Sequence, residues 1–240
     1  VASARFLAER DADAREQMDA SDADPRLLTR TYARFALVNA VVSGARDVYR
    51  RWVRPRLSPV WTSRLLDIGT GGGDLPRRLL RWAAADGLRL EALAIDPDER
   101  AMAFATSQPA MLGLRFAATT SRALADADER FEFVVSNHVL HHLSGREFGA
   151  LLADSERLTA AGGVAVHGDI ERSRLGYAAF AVGTWPFAGN LLADSYIRAD
   201  GLTSIRRSHT AAELAPALPD GWRVRRAFPS RLEMVREEWP

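Results

Sequence analysis

The chain has 240 residues, 47% of them hydrophobic and 26% charged, with 32 Lys+Arg against 31 Asp+Glu for a formal net charge of +1. Such a chain reads as one soluble globular domain, long enough to bury roughly 70% of its unfolded surface without a metal or disulfide, and not as a collagen-like or wholly disordered one. So balanced a charge gives no general drive towards nucleic acid or an anionic membrane, and neither is an expected partner.

Cys is absent, and every basic side chain other than the five His is Arg. Thiol nucleophiles, disulfides, zinc–thiolate sites, lysine Schiff bases and a P-loop lysine are therefore excluded. No apolar run approaches the ~18 residues of a membrane span. The first ten residues, Val1 to Arg10, alternate charge with small side chains, unlike a signal peptide, so a cytoplasmic location is expected.

Residues 1–58 read as a helical arm and cap. The first ~20 residues, ending in the acidic stretch Asp19 to Asp24, suit an exposed helix or a loose arm. From Pro25 to Pro55, Leu28, Tyr32, Phe35, Val38, Val42, Val48, Tyr49 and Trp52 recur at roughly helical spacing, broken at Ser43-Gly44, which predicts two amphipathic helices joined near Gly44.

Residues 59–240 alternate strand and helix. Apolar runs at 64–68, 90–95, 114–118, 131–136 and 163–167, separated mostly by helical segments, predict right-handed βαβ crossovers. Ser144-Gly-Arg-Glu147 and Thr210-Ala-Ala-Glu213 fit the capping box that starts a helix. A Gly- and aromatic-rich stretch at about 171–207 fits neither period and is expected to form a lid. The segments 222–227 and 231–235 predict a terminal hairpin. The fold class expected is α/β, Rossmann-like and doubly wound: a mainly parallel seven-stranded sheet with a C-terminal antiparallel hairpin and an N-terminal helical cap.

The most informative segment is Leu65-Leu-Asp-Ile-Gly-Thr-Gly-Gly-Gly-Asp-Leu75, in which a buried strand ends in an acid, turns on glycines and enters a helix near Asp74. Bare backbone there lets a ligand approach outside the carboxyl end of the first strand. A dinucleotide would set its pyrophosphate against Asp74, the wrong sign for a phosphate site. Asp67 instead suits a ligand carrying an ammonium group, and the pattern favours a nucleoside that bears an amino acid.

Asp-x-Gly-x-Gly-x-Gly, from Asp67 through Gly69, Thr70, Gly71 and Gly73, resembles motif I of the class I S-adenosylmethionine-dependent methyltransferases, and the likeness runs from about Leu65 to Val235. The resemblance implies S-adenosylmethionine as cofactor. It implies that Asp96, in Ala94-Ile-Asp-Pro97, accepts both ribose hydroxyls, that Asn137 and the residues after the fourth strand border the cofactor, and that Ala160-Ala-Gly-Gly163 leads into the fifth strand. After the third strand the family usually has an acid for the adenine amino group, whereas this chain has Thr119-Thr-Ser-Arg122; Ser121 or a backbone carbonyl is expected there instead.

Methyl transfer from a sulfonium to a hydroxyl requires an aligned nucleophile and a base for its proton. His138, His141 and His142 follow the fourth strand, and His167 and Asp169 close the fifth. Leu140-His-His142 with Asp169 resembles the arrangement of some sugar and natural-product O-methyltransferases, which implies that His141 or His142 is the base and Asp169 its orienting acid. Phe35-Ala-Leu-Val-Asn39, Ser43-Gly44 and Arg51-Trp52 partially resemble the cap of quinone-biosynthesis C-methyltransferases. Both likenesses imply a small, apolar aromatic or polyketide-like acceptor, and Tyr177, Phe180, Trp185, Phe187 and Tyr196 are expected to stack on it. No metal is expected, since no tight cluster of acids and His stands out. The alternatives are a C-methyltransferase on a quinone or aromatic ring, and an inactive S-adenosylmethionine-binding assembly module. Monomer and homodimer are both open.

Overall fold

A computed structural model describes residues 6–238 of the chain, so the first five residues of the expected non-signal start lie outside the described ones. Seven strands form one sheet in the order β3-β2-β1-β4-β5-β7-β6. They are β1 (Ser63–Ile68), β2 (Leu90–Ile95), β3 (Leu114–Ala117), β4 (Phe131–Asn137), β5 (Thr159–Ile170), β6 (Arg223–Ala227) and β7 (Arg231–Glu237). The first five run parallel; β7 lies antiparallel between β5 and β6. The expected architecture is the observed one, with the strand limits shifted by a residue or two except at β5, which begins four residues early across an irregularity in its pairing with β4.

The central strands are apolar on both faces because helices cover both. In β1, Leu65 enters one core cluster with Leu75, Leu79, Phe133 and Val166, and Leu66 enters another with Val134, Leu152 and Leu232. Each fully buried leucine contributes about 1.5–3 kcal/mol. Helix α3 (Asp74–Ala85) shows the same logic: Leu75, Leu79 and Ala83 recur every four residues on its buried stripe, and Pro76 is tolerated in the first turn. Both predicted capping boxes are formed, by Ser144 with Glu147 at α6 (Gly145–Leu158) and by Thr210 with Glu213 at α9 (Ala211–Leu214).

The cap consists of α1 (Pro25–Val42), a left-handed Gly44, the short α2 (Ala45–Val48), and a π turn and a 3-10 turn that carry the chain to Arg56. A buried arginine locks it to the hairpin. Arg231 of β7 donates to the carbonyls of Ser43 (2.9 Å) and Phe228 (3.0 Å) and lies 3.9 Å from Glu233. Gly44 is required where that guanidinium passes, because a Cβ there would lie 1.6 Å from its central carbon.

The stretch expected to be an irregular lid is in fact largely helical: α7 (Arg174–Thr184), a 3-10 turn, and α8 (Ile197–Arg207). The arm is not loose either. Asp200 of α8 accepts the amides of Gln17 (2.8 Å) and Met18 (3.0 Å), the Tyr196 hydroxyl accepts from the Asp24 amide (2.9 Å), and Arg10 donates to carbonyls of Arg207, His141 and Leu143. The remaining helices are α4 (Glu99–Ser107) and α5 (Ser121–Asp126).

Replacing Arg231 by Met leaves the buried Ser43 carbonyl and the Phe228 carbonyl without this donor and the buried Glu233 without one of its cations. The expected cost is on the order of 3 kcal/mol, read as a lower urea midpoint at unchanged slope; an unchanged midpoint would show that the cap does not depend on this contact.

Candidate functional site

The chain runs from β1 outward to β2 and β3 and then returns to place β4 on the other side of β1, which opens a crevice at the carboxyl ends of β1 and β4. A cavity of about 350 Å³ lies there, closed by the cap, by α8 and by the arm. That volume is in the lower range of small-molecule sites.

The glycine turn forms one wall. Asp67 ends inside it, only 1% exposed, with Oδ2 lacking any hydrogen-bond partner. Burial, helped by the nearby Asp74 and Asp96 charges, pushes its carboxyl up to about 8. Gly71 holds φ 54°, and a Cβ on it would meet nothing within 4 Å, so its bare face looks onto open cavity. Asp96 Oδ2 accepts the Gly71 amide at 2.9 Å and Oδ1 that of Asp98 at 2.9 Å, which ties the end of β2 to the turn. Gly69, Thr70, Pro97 and Asn137 line the same space.

Two expected residues are not on this wall. Gly73 precedes α3 and packs against Phe116. The Ser121 hydroxyl donates to Asp154 at 2.9 Å, and among the described residues it does not border the cavity, so its expected adenine contact is not supported. Gly72, by contrast, does line it.

The second wall carries the histidines. His141, 1% exposed, donates from Nδ1 to Asp169 Oδ1 at 2.8 Å, and its amide reaches Asp169 Oδ2 at 2.8 Å. Its Nε2 faces Glu16 Oε1 of the arm at 3.2 Å, without hydrogen-bond geometry. Burial works against the charged ring, but the Asp169 and Glu16 carboxylates prevail and push it up to about 10. Asp169, which burial would raise, is held down at about 2 by that imidazolium, and Glu16 is likewise lowered against its own burial.

His142 is 31% exposed on the cavity side, donating from Nδ1 to Asp19 Oδ2 at 3.0 Å, with Nε2 3.9 Å from Glu16 Oε2. His138 sits at φ 60° with both ring nitrogens unpartnered, and burial drives it down to about 4, which keeps it neutral. His167 belongs elsewhere: it pairs with Ser136 at 2.8 Å and stacks on Trp222.

Glu16, Asp19 and Asp200 had no signal in the sequence as site residues, because arm and helix meet the histidines only through the tertiary fold. Glu16, His141 and His142 present ligand atoms all within 4.8 Å of one another, a cluster that sequence spacing did not suggest. Of the five aromatics expected to stack on an acceptor, Phe180 borders the cavity, while Tyr177 packs edge-on against Phe6, Trp185 and Phe187 are exposed and Tyr196 is buried beside Tyr32. Phe35 of the cap also borders it, whereas Trp52 lies in the core against Glu233. Arg206 pairs with Asp11, and buried Arg207 donates to the carbonyls of His141 and His142; neither lines the cavity.

A family model described as a methyltransferase domain matches residues 65–163. The chain is 35% identical over 92 residues to the ubiquinone biosynthesis O-methyltransferase of Sinorhizobium medicae, covering 38% of this chain and 35% of that protein. It is 30% identical over 129 residues to the enzyme of that description from Azorhizobium caulinodans, covering 53% and 48%. It thus spans half or less of the length of these curated relatives. Among solved structures, human N-acetylserotonin methyltransferase in complex with S-adenosylmethionine aligns over 89% of this chain and 56% of its own, with TM-score 0.61 and 11% identity. The plantazolicin methyltransferase in complex with S-adenosylhomocysteine aligns over 89% and 95%, with TM-score 0.57 and 11% identity. At such identities the likeness is one of fold.

The Asp169–His141 pair sets its own pH window. The part contributed by Asp169 is complete above about pH 4 and lost as pH falls towards 2; the part contributed by His141 is complete below about pH 6.5 and lost as pH rises through about 10. In chelator-treated protein, ring-nitrogen NMR is expected to show His141 doubly protonated at pH 8 and His138 neutral at pH 6. Asp169→Asn is expected to bring the His141 titration down by about two units or more; a wild-type His141 that titrates near 6.5 would refute the pairing.

Proposed function

We propose that this chain, which belongs to the class I S-adenosylmethionine-dependent methyltransferases, methylates a hydroxyl of a small aromatic or polyketide-like acceptor. The observation that carries this reading is His141, backed by the buried Asp169, standing in the wall of the same cavity as Asp67 and Asp96.

The residues fit the family's cofactor. Asp67 is a buried carboxylate with an orphaned oxygen, suited to an ammonium group; Asp96 is positioned for ribose hydroxyls; the Gly71 face leaves room that any side chain would take. Thr70, Pro97 and Asn137 complete that end of the cavity. When bound, S-adenosylmethionine supplies an electrophilic methyl group on a sulfonium.

The protein's own part is to desolvate the acceptor oxygen, orient it and remove its proton. Phe35, Val38, Val42 and Phe180 form an apolar surface for a ring. His142, partly exposed and oriented through Asp19, takes the proton. His141, held as imidazolium by Asp169, steadies the oxygen's developing negative charge. This assigns different work to the two histidines, in place of a choice of one as base.

An acceptor with its own carboxylate is disfavoured. Glu16, Asp19, Asp67, Asp74, Asp96, Asp98 and Asp200 all line the cavity, and among the described residues no Arg does. The curated relatives are named O-methyltransferases, and although this chain matches half or less of their length, that name supports an oxygen acceptor over the ring carbon suggested by the cap.

Two outcomes are expected. Pairing an ammonium with Asp67 expels its proton, so S-adenosylhomocysteine binding at pH 7 is expected to release about one proton, measured by calorimetry in buffers of differing ionisation enthalpy, with less released above pH 8. Asp67→Asn is expected to abolish the release and lower affinity by about tenfold or more. The double variant His141→Ala, His142→Ala is expected to retain S-adenosylhomocysteine binding but lose about 10²–10⁴ in transfer to a phenol panel; wild-type turnover would remove the assigned base, and fragmentation showing a methyl on ring carbon would replace the oxygen acceptor.

A further inference from the structure

We propose that Glu16, His141 and His142 form a binding site for one divalent first-row transition metal ion, of the zinc or iron(II) class, at the arm-side end of the cavity. The two Nε2 atoms converge on one carboxylate, at 3.2 Å from Glu16 Oε1 for His141 and 3.9 Å from Oε2 for His142. Ligands about 2.0–2.2 Å from a tetrahedral metal lie roughly 3.3–3.5 Å apart, a separation these distances bracket. The 3.2 Å contact is not a hydrogen bond, and His141 Nε2 is a buried nitrogen with no hydrogen-bond partner.

The surrounding groups are those that such ligands need. A metal-bound imidazole donates its other N–H to a carboxylate, which fixes tautomer and ring orientation. Here both rings do so, His141 to Asp169 at 2.8 Å and His142 to Asp19 at 3.0 Å. Glu16 in turn accepts the Ser204 hydroxyl at 2.7 Å. Arg10 and Arg207 hold the His141 carbonyl, which anchors the segment carrying both rings.

Charge counts the same way. Glu16, Asp19 and Asp169 place three carboxylates around the two imidazoles, a set of charges that suits a dication. Two imidazoles and one carboxylate suit zinc, iron(II), cobalt(II) or manganese(II), whereas magnesium and calcium favour all-oxygen shells. Glu16, His141 and His142 all line the cavity, so an acceptor hydroxyl that reached an ion held there would lose its proton more readily. That last use rests on the O-methylation reading; metal binding itself does not.

The test is a titration of the untagged, chelator-stripped full chain with Co²⁺, read by its visible d–d absorption and by metal content after dialysis, without acceptor or methyl donor. One equivalent is expected to bind with the intensified bands of a low-coordinate nitrogen and oxygen site, and Zn²⁺ is expected to displace it. His142→Ala, at a partly exposed position, is expected to weaken Co²⁺ by 100-fold or more, and Asp19→Asn by about 10–100-fold, while S-adenosylhomocysteine still binds each variant. An aquo-ion spectrum with the wild-type chain, or equal affinity in His142→Ala and Asp19→Asn, would overturn the site. Because neither outcome involves transfer, a failed metal titration leaves the methyltransferase reading standing, and failed transfer leaves the metal site standing.

Discussion

One buried line of charge, Asp169–His141–Glu16, determines how the active end of this molecule is assembled. Removing three ionisable groups from water costs several kcal/mol for each ion, and the cost is offset only where each charge finds an oppositely charged neighbour in good geometry. Asp169 comes from the penultimate position of β5, His141 from the segment after β4, and Glu16 from the arm, so the pairing is possible only when sheet, crossover segment and arm are all in place. The arm is therefore a wall of the site. Its other contacts, through Gln17 and Met18 to Asp200 and through Arg10 to the histidine segment, hold Glu16 against the ring.

The sheet explains why these groups meet the glycine turn. Parallel strands deliver their carboxyl ends to one edge, and the return from β3 to β4 leaves β1 and β4 adjacent with nothing covering the gap between their loops. Asp67 lies next to the end of β1, Asp96 follows β2 and Asn137 closes β4, so three acidic or amide side chains reach one crevice from three strand ends, while Asp169 near the end of β5 backs His141. The cap closes that crevice from above, locked to the hairpin by Arg231 threading past Gly44.

The parts legible in the sequence were those encoded locally. Apolar runs on buried strands, the Asp67-to-Gly73 turn, both capping boxes and the spacing of Leu140-His-His142 carry their meaning within about ten residues, and the structure contains each of them. What could not be read depends on distance in the chain. Glu16 meets His141 from 125 positions away in the chain, and its segment has the composition of a solvated arm, so nothing local marks it as buried. The aromatics of α7 and the turn after it show the converse: they share a composition suited to stacking, but helical rotation turns Phe180 inward and leaves Trp185 outside. Ser121 was chosen by position after β3, yet its hydroxyl is taken by Asp154 as the chain enters α5.

The acidity of the cavity also constrains how transfer and release are balanced. A wall with several carboxylates and, among the described residues, no Arg attracts a ligand that carries both ammonium and sulfonium charge more than one that has lost the sulfonium. Such a field holds the methyl donor and loosens the thioether product, but stabilising the charged ground state by itself does not lower the barrier to transfer. The compensating term has to act where negative charge grows on the acceptor, and under the proposed O-methylation that is the work of His141, whose proton Asp169 and Glu16 favour. Two regions of opposite electrostatic character thus share one cavity: the Asp67 end, where burial favours the neutral carboxyl, and the His141 end, where the Asp169 and Glu16 carboxylates favour the charged ring.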